Sequence, residues 1–258
     1  MRFTIENKQK IEIFVSIFQI LKNWSSHISM LFEQERLYIQ LMDKSHVCLA
    51  DIELKDKWFT TFNCTSKQTI FVDSTQFAIL MNYALKNVSV EIIYDEDVDA
   101  DKLYINFLSG KSKGFDHFFE LTLQDIDEEG LGIPEVDYDV EFTIDSKKIV
   151  DVLSELNTFG EELNIKCTEN VIELNASGES TKLKVNIPIE DLDEYAIAEG
   201  ETISISFSLN HLCKMCLSMK LCSSIRVGIS SQYPISFHYD LGDDSKAVFF
   251  MAPKVQDS

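Results

Sequence analysis

The chain is short of the residues that break or lock a backbone, with 4 prolines and 9 glycines in 258 residues. That scarcity excludes a collagen-like repeat and a low-complexity chain. No apolar run approaches the roughly 20 residues that a membrane-crossing helix needs, and the N-terminus carries no signal-peptide pattern. The protein is therefore expected to have no membrane partner and to stay in the cytoplasm or nucleus. Basic residues are the third shortage: 23 Lys and Arg stand against 43 Asp and Glu, a formal net charge of −20. General adhesion to nucleic acid is excluded, because neutralising phosphate needs Lys and Arg at the backbone. Any DNA role must come from a local basic surface. Catalytic motifs are missing as well: there is no nucleophile elbow, phosphate-cradling glycine loop or zinc-protease helix, so nothing positive supports an enzyme.

What the chain does have is apolar mass. Hydrophobic residues make up 45% of it, enough for a substantial core, and the length fits one large domain or two ordinary ones. Cys48, Cys64, Cys167, Cys213, Cys216 and Cys222 lie in apolar or alternating segments. Without an export signal they are expected to be reduced and mostly buried. The run His211-Leu-Cys213-Lys-Met-Cys216 has the composition of a metal site. Structural zinc, however, draws ligand pairs from separated turns, whereas these residues lie in one predicted helix, with Cys213 and Cys216 on its apolar face. No metal and no cofactor are expected. The acidic runs Asp95–Asp101 and Asp191–Glu194 are predicted to be solvated loops between strands.

An internal repeat organises the rest. Ile28, Met30 and Phe32, then Leu37, Ile39 and Leu41, map onto Leu163, Ile165 and Cys167, then Ile172, Leu174 and Ala176, all at a step of 135 residues. Phe14, Val15, Ile17, Phe18 and Leu21 map at the same step onto Ile149, Val150, Val152, Leu153 and Leu156. With small shifts, Phe71, Phe77, Met81 and Leu85 parallel Phe207, Cys213, Leu217 and Leu221. Helical spacing predicts helices near 8–23, 75–86, 146–158 and 209–221, with Ser74 and Asp145 as N-caps. Period-two segments such as Leu37/Ile39/Leu41 predict strands. Two helices on antiparallel sheet in each half is α+β architecture. The halves are placed at 1–122 and 139–258. Between them, 123–138 is an acidic connecting loop with Gly130, Gly132 and Pro134, yet it holds apolar Ile126, Leu131 and Ile133.

Three segments give the chain a family likeness: Leu41-Met-Asp-Lys-Ser-His-Val-Cys-Leu49, Leu131-Gly-Ile-Pro-Glu135 and Phe250-Met-Ala-Pro-Lys-Val255. In this order, and with a duplicated domain, the chain resembles the DNA sliding clamps of the proliferating-cell-nuclear-antigen type. The resemblance implies a non-enzymatic processivity factor in the nucleus, or at a viral replication site if virus-encoded. It implies a closed ring of three like subunits around duplex DNA, with helices lining the hole. DNA polymerase, ligase and flap nuclease would insert a short apolar helical plug, and a clamp loader would place the ring. Carried over residue by residue, the plug's site comprises Met42, His46, Val47, Leu49, Ile126, Leu131, Ile133, Pro134, Pro234, Phe250, Ala252, Pro253 and Lys254. Ring closure would pair an edge carrying Phe115, Phe118, Phe119 and Leu121 with one carrying Lys182, Leu183, Lys184 and Val185.

Enclosure makes strong adhesion unnecessary, and weak phosphate contacts let a ring slide. Lys22, Lys86, Lys147, Lys148, His211 and Lys214 are the candidate DNA contacts. The chain departs from the family in having few basic residues there: Glu12, Ser16 and Gln19 stand on the predicted polar face of the first helix, and Asn82 on the second. It also has Glu169 in the turn where many eukaryotic clamps carry a lysine that accepts ubiquitin-type modifiers. Two rival readings are a subunit of a heterotrimeric, checkpoint-type clamp and a hydrolase using Asp97 or Asp99.

Overall fold

The computed structural model describes residues 1–110, 114–126, 130–133, 136–215 and 219–254. The chain divides into two units. Unit 1 holds Met1–Lys44, Ala50–Leu131 and Asp240–Ala247; unit 2 holds Ser45–Leu49, Gly132–Tyr239 and the chain from Val248.

The first half of the chain runs β1 (Arg2–Ile5), α1 (Lys8–Leu21), β2 (His27–Glu33), β3 (Arg36–Met42), β4 (Cys48–Lys55), β5 (Thr61–Asn63), β6 (Gln68–Asp73), α2 (Ser74–Ala84), β7 (Ser89–Ile93), α3 (Glu96–Asp99), β8 (Lys102–Leu108) and β9 (His117–Thr122). Its strands order as β5-β1-β7-β8-β9 and as the run β4-β3-β2-β6. The second half runs β10 (Val140–Asp145), α4 (Ser146–Asn157), β11 (Glu162–Cys167), β12 (Val171–Ser177), β13 (Lys182–Pro188), β14 (Glu194–Ile197), β15 (Ile203–Ser208), α5 (Leu209–Met215), β16 (Ser224–Ile229), β17 (Ile235–Gly242) and β18 (Ser245–Met251). Its strands order as the run β14-β10-β16-β17-β18 and as β13-β12-β11-β15. Strand for strand, the second topology repeats the first. The architecture is α+β with antiparallel pairing, and among the described residues no helix is long and apolar enough to cross a membrane.

Local chemistry starts the helices. Asn7 Oδ1 accepts the Lys10 N–H at 3.1 Å, and Asp145 Oδ1 accepts that of Lys148 at 2.9 Å, each meeting a donor that the first turn leaves unpaired. The cap of α2 is Asp73, not the expected Ser74. Asp73 has extended backbone and accepts the Gln76 N–H at 2.7 Å, whereas Ser74 is buried and its hydroxyl donates to the Ser25 carbonyl at 2.5 Å. Ser146 repeats this in unit 2, donating to the Cys222 carbonyl at 2.6 Å.

Strand register corrects the later part of the repeat. β2 pairs Ile28 with Val72, and β11 pairs Leu163 with Phe207. Phe207 therefore answers to Val72, not Phe71, and the 135-residue step continues into the second helices. At that step Phe77 and Leu212 are both fully buried, while Cys213 is half-buried. Matching Phe to Phe inserted a gap that the hydrogen bonds do not have.

Other boundaries differ too. The described part of α5 ends at Met215 instead of running to Leu221, and Cys216 and Leu217 lie outside the described residues. The run Asp95–Asp101 holds a short helix, and Glu194 opens a strand. Ser16, expected on a polar face, is buried, and its hydroxyl donates to the Glu12 carbonyl at 2.7 Å. Gln19 Nε2 donates to the Ala78 carbonyl and Asn82 Oδ1 of α2, at 2.7 and 3.1 Å. That side of α1 is a helix–helix seam. Below it the core of unit 1 is aromatic, with Phe18 between Phe14 and Phe77 at centroid distances of 4.9 and 4.5 Å. The core of unit 2 mixes aromatic and aliphatic side chains and leaves a cavity of about 20 Å³ beside Phe142, Ile149, Leu163, Leu174, Val227 and Phe237.

Candidate functional site

In unit 1 the backbone of Leu123 and Gln124 is tied to Asp101 and Phe71, and further along the connector the Gln40 side chain holds Leu131. Leu131 donates its N–H to Gln40 Oε1 at 2.6 Å and accepts from Gln40 Nε2 at 2.9 Å. Gln40 alternates along β3 with Met42 and Tyr38 on the face opposite the buried Leu37, Ile39 and Leu41. The Leu131 side chain is left 48% exposed, while Ile126 is half-buried.

In unit 2, the loop with His46, Val47 and Leu49 and the tail with Ala252, Pro253 and Lys254 lie together. The Ala252 N–H donates to the Val47 carbonyl, and the Lys254 N–H to the Ser206 carbonyl, both at 2.9 Å. Val47, Leu49, Phe250, Ala252 and Pro253 are half-buried, and Pro234 is exposed. His46 has φ 58, in the left-handed region that side chains rarely adopt, and its ring is exposed at the turn. Ile133 belongs to this unit and is half-buried; Pro134 lies outside the described residues.

Two sheets end in open strands. β9 is the last strand of the five-stranded sheet and β13 the last of the four-stranded one. On β9, Phe118 is 70% exposed, and Phe115 just before it is 85% exposed. Phe119 and Leu121 point to the other side and are half-buried, with Tyr83 of α2 set against Phe119 at 5.4 Å and against His117 at 5.8 Å. On β13, Leu183 and Val185 are half-buried while Lys182 and Lys184 are exposed, and Lys184 Nζ lies 2.7 Å from Glu173 Oε1.

Against known families, residues 5–130 match the proliferating cell nuclear antigen N-terminal domain, and residues 132–254 match its C-terminal domain. The chain belongs to the proliferating cell nuclear antigen family. It is similar to "Proliferating cell nuclear antigen" of Chaetomium thermophilum, 28% identical over 85% of each chain. It is also similar to "Proliferating cell nuclear antigen 2" of Plasmodium falciparum, 24% identical over 95% of this chain and 97% of the relative. As a member of this family the chain is a sliding clamp of DNA replication and not an enzyme, and the family implies DNA and replication factors as partners.

The clamp's candidate DNA contacts are unequal. Lys147 and Lys148 are exposed on the first turn of α4, Lys214 is exposed on α5, and Lys86 is exposed just after α2. Lys22, half-buried at the end of α1, has its Nζ 2.6 Å from Gln19 Oε1. The ring of His211 lies 3.0 Å from Ser208 Oγ and 3.2 Å from Ser45 Oγ. The Cys213 thiol faces the Leu153 carbonyl at 3.7 Å, and burial raises its pKa. Among the described residues no group of three His, Cys, Asp or Glu is placed to hold a metal ion. In the turn that departs from the family, Glu169 Oε1 accepts the Gly200 N–H at 2.5 Å.

Sequence reasoning missed Gln40, Glu162 and Tyr83. Gln40 meets Leu131 across 91 residues of chain and Glu162 meets Lys254 across 92, so no local pattern marks either.

Proposed function

We propose that three copies of this clamp close head to tail into a ring around duplex DNA, β9 of each copy pairing with β13 of the next. The observation that carries this reading is the pair of open edges. Both strands end a sheet and leave N–H and C=O groups unpaired along six or seven residues, a template for another chain. Apolar side chains accompany both: Phe115, Phe118, Phe119 and Leu121 on one, Leu183 and Val185 on the other. Lys182 and Lys184 supply positive charge on an acidic molecule. Large exposed aromatics of this kind mark a partner surface.

Held by enclosure, the duplex needs only weak contacts, for which Lys86, Lys147, Lys148 and Lys214 are the exposed cations, with the half-buried Lys22 and the His211 ring as lesser contacts. Polymerase, ligase and nuclease tails dock as short apolar helices on exposed apolar side chains of the clamp, Leu131 of the connector among them. Groove recognition of this type buries a few aromatic anchors. Nuclear residence follows from the same role.

The test is twofold. Light scattering of the purified chain should give a trimer, and with a clamp loader the chain should stimulate a DNA polymerase on primed circular template but not on linear template with free ends. A monomer that stimulates nothing overturns the reading. A monomer that assembles only with other clamp subunits replaces the homotrimer with a heterotrimeric clamp.

A further inference from the structure

We infer that Gln40 is a positioning residue for partner docking: its carboxamide fixes the backbone of Leu131 and so sets where the connector presents that exposed leucine. The inference deepens the tethering reading above and rests on it.

The argument starts from the inventory of one carboxamide, which has one acceptor oxygen and two donor hydrogens. Oε1 takes the Leu131 N–H at 2.6 Å, and Nε2 gives one hydrogen to the Leu131 carbonyl at 2.9 Å. This is the two-bond exchange that a neighbouring strand would make. The second hydrogen of Nε2 goes to the Tyr38 hydroxyl at 3.1 Å. Tyr38 in turn donates to Asp51 Oδ1 on β4. A hydroxyl whose proton is committed to a carboxylate must accept from its other neighbour. The Asp51–Tyr38 pair therefore decides which end of the Gln40 amide is nitrogen, and with it which end faces the Leu131 N–H.

The relay is itself held. Burial, then the Asp51 hydrogen bond, push the Tyr38 hydroxyl far above its ordinary pKa, so it stays a donor across the physiological range. The Arg36 guanidinium lies 5.1 Å over the Tyr38 ring, and Arg36 is bound to Glu33 and Glu53 at 2.7 and 3.0 Å. All of these residues are on β2, β3 and β4, a rigid support for a residue that lies in neither helix nor strand. The Leu131 side chain, 48% exposed, takes no part in these hydrogen bonds and is left to a partner. Gly130 beside it passes 3.7 Å from Gln40 Oε1 at the position a Cβ would take, so the close approach of the connector leaves room for the amide.

The probe is a fluorescent synthetic peptide able to form one helical turn, with an aliphatic and two aromatic side chains on one face. It is titrated into the full-length protein by anisotropy, with amide exchange at Leu131 read in parallel. Gln40→Ala is expected to weaken peptide binding about tenfold, as the loss of two ordering hydrogen bonds implies, and to speed Leu131 exchange, with the oligomeric state unchanged. Gln40→Glu keeps the acceptor and loses the donors, so it should fall between wild type and Gln40→Ala in both readouts. Tyr38→Phe should act in the same direction, more weakly. Faster Leu131 exchange with undiminished peptide affinity overturns the inference, as does unchanged exchange in Gln40→Ala. A wild-type chain that ignores the peptide overturns the tethering reading and this inference with it, a result distinct from failure confined to the variants.

Discussion

Lys254 Nζ lies 2.9 Å from Glu162 Oε2, and the backbone N–H of the same lysine donates to the Ser206 carbonyl. Glu162 opens β11 and Ser206 lies on β15, the strand paired with it. The tail that follows β18 is thus tied down twice on one pair of strands.

That tie has a pH signature. The Glu162 carboxyl is held below the ordinary glutamate value of 4.5, first by the hydrogen bond from Lys254 and then by that from Ser206. Because its folded pKa is the lower one, the interaction contributes fully above about 4.5 and fades as pH falls through the folded value. Both side chains are about half exposed, so screening keeps the contribution below about 1 kcal/mol. Glu162→Gln should therefore leave Tm at neutral pH within about a degree or two of wild type, yet speed amide exchange at Lys254. Wild type should acquire that mobility only below about pH 4.5. Equal Lys254 exchange in both proteins at neutral pH would remove the role given to this pair.

Phe118→Arg tests the open edge. The ring is 70% exposed within the chain, so the change should move the monomer's own stability by no more than about 0.5 kcal/mol. In a ring the same position would hold a charge without a partner in an apolar contact. The expected result is a monomer by light scattering, with loss of polymerase stimulation and an unaltered circular dichroism spectrum. An intact trimer would mean that ring closure uses another surface.

The cations of α4 should show in salt dependence. Weak DNA association measured without a loader should fall steeply with salt, and Lys147→Ala with Lys148→Ala should flatten the log–log slope by about 0.9 for each phosphate that is no longer neutralised. Lys22→Ala should change it less, since that ammonium is already engaged by Gln19. Tight binding of wild type to linear DNA at physiological salt would contradict retention by enclosure.

Thiol chemistry gives a fourth check. Burial pushes the Cys167 thiol up to about 12, and only the thiolate reacts at a useful rate. Alkylation of the native protein near pH 8, read by mass spectrometry, should leave Cys167 unmodified until denaturant is added. Cys222, partly exposed, should be modified before it, and the reverse order would contradict the burial of Cys167.

Much of the fold was legible because period and side-chain type decide it locally. The alternation in Leu37, Ile39 and Leu41, and the helical spacing of Ile149, Leu153 and Leu156, survive in the structure as buried faces. Asp145 was legible as a cap because a carboxylate before a helix has one obvious donor to meet. Ser74 misled for the same reason: two capable residues stood side by side, and only the path of β6 gave Asp73 the extended backbone. The buried Ser16 misled because a hydroxyl reads as polar until its own helix, four residues back, supplies the acceptor.

The sequence by itself determined the duplicated α+β plan, the apolar residues of the connector and the acidic balance of the chain. These follow from residue type and spacing, which act over one or two turns of helix or a few residues of strand. Only the tertiary structure decided that β9 and β13 end their sheets, that Gln40 holds Leu131, and that Glu162 holds Lys254. Hydrogen bonds between residues some ninety positions apart exist only once the strands have chosen their neighbours, and nothing in a linear pattern carries that choice.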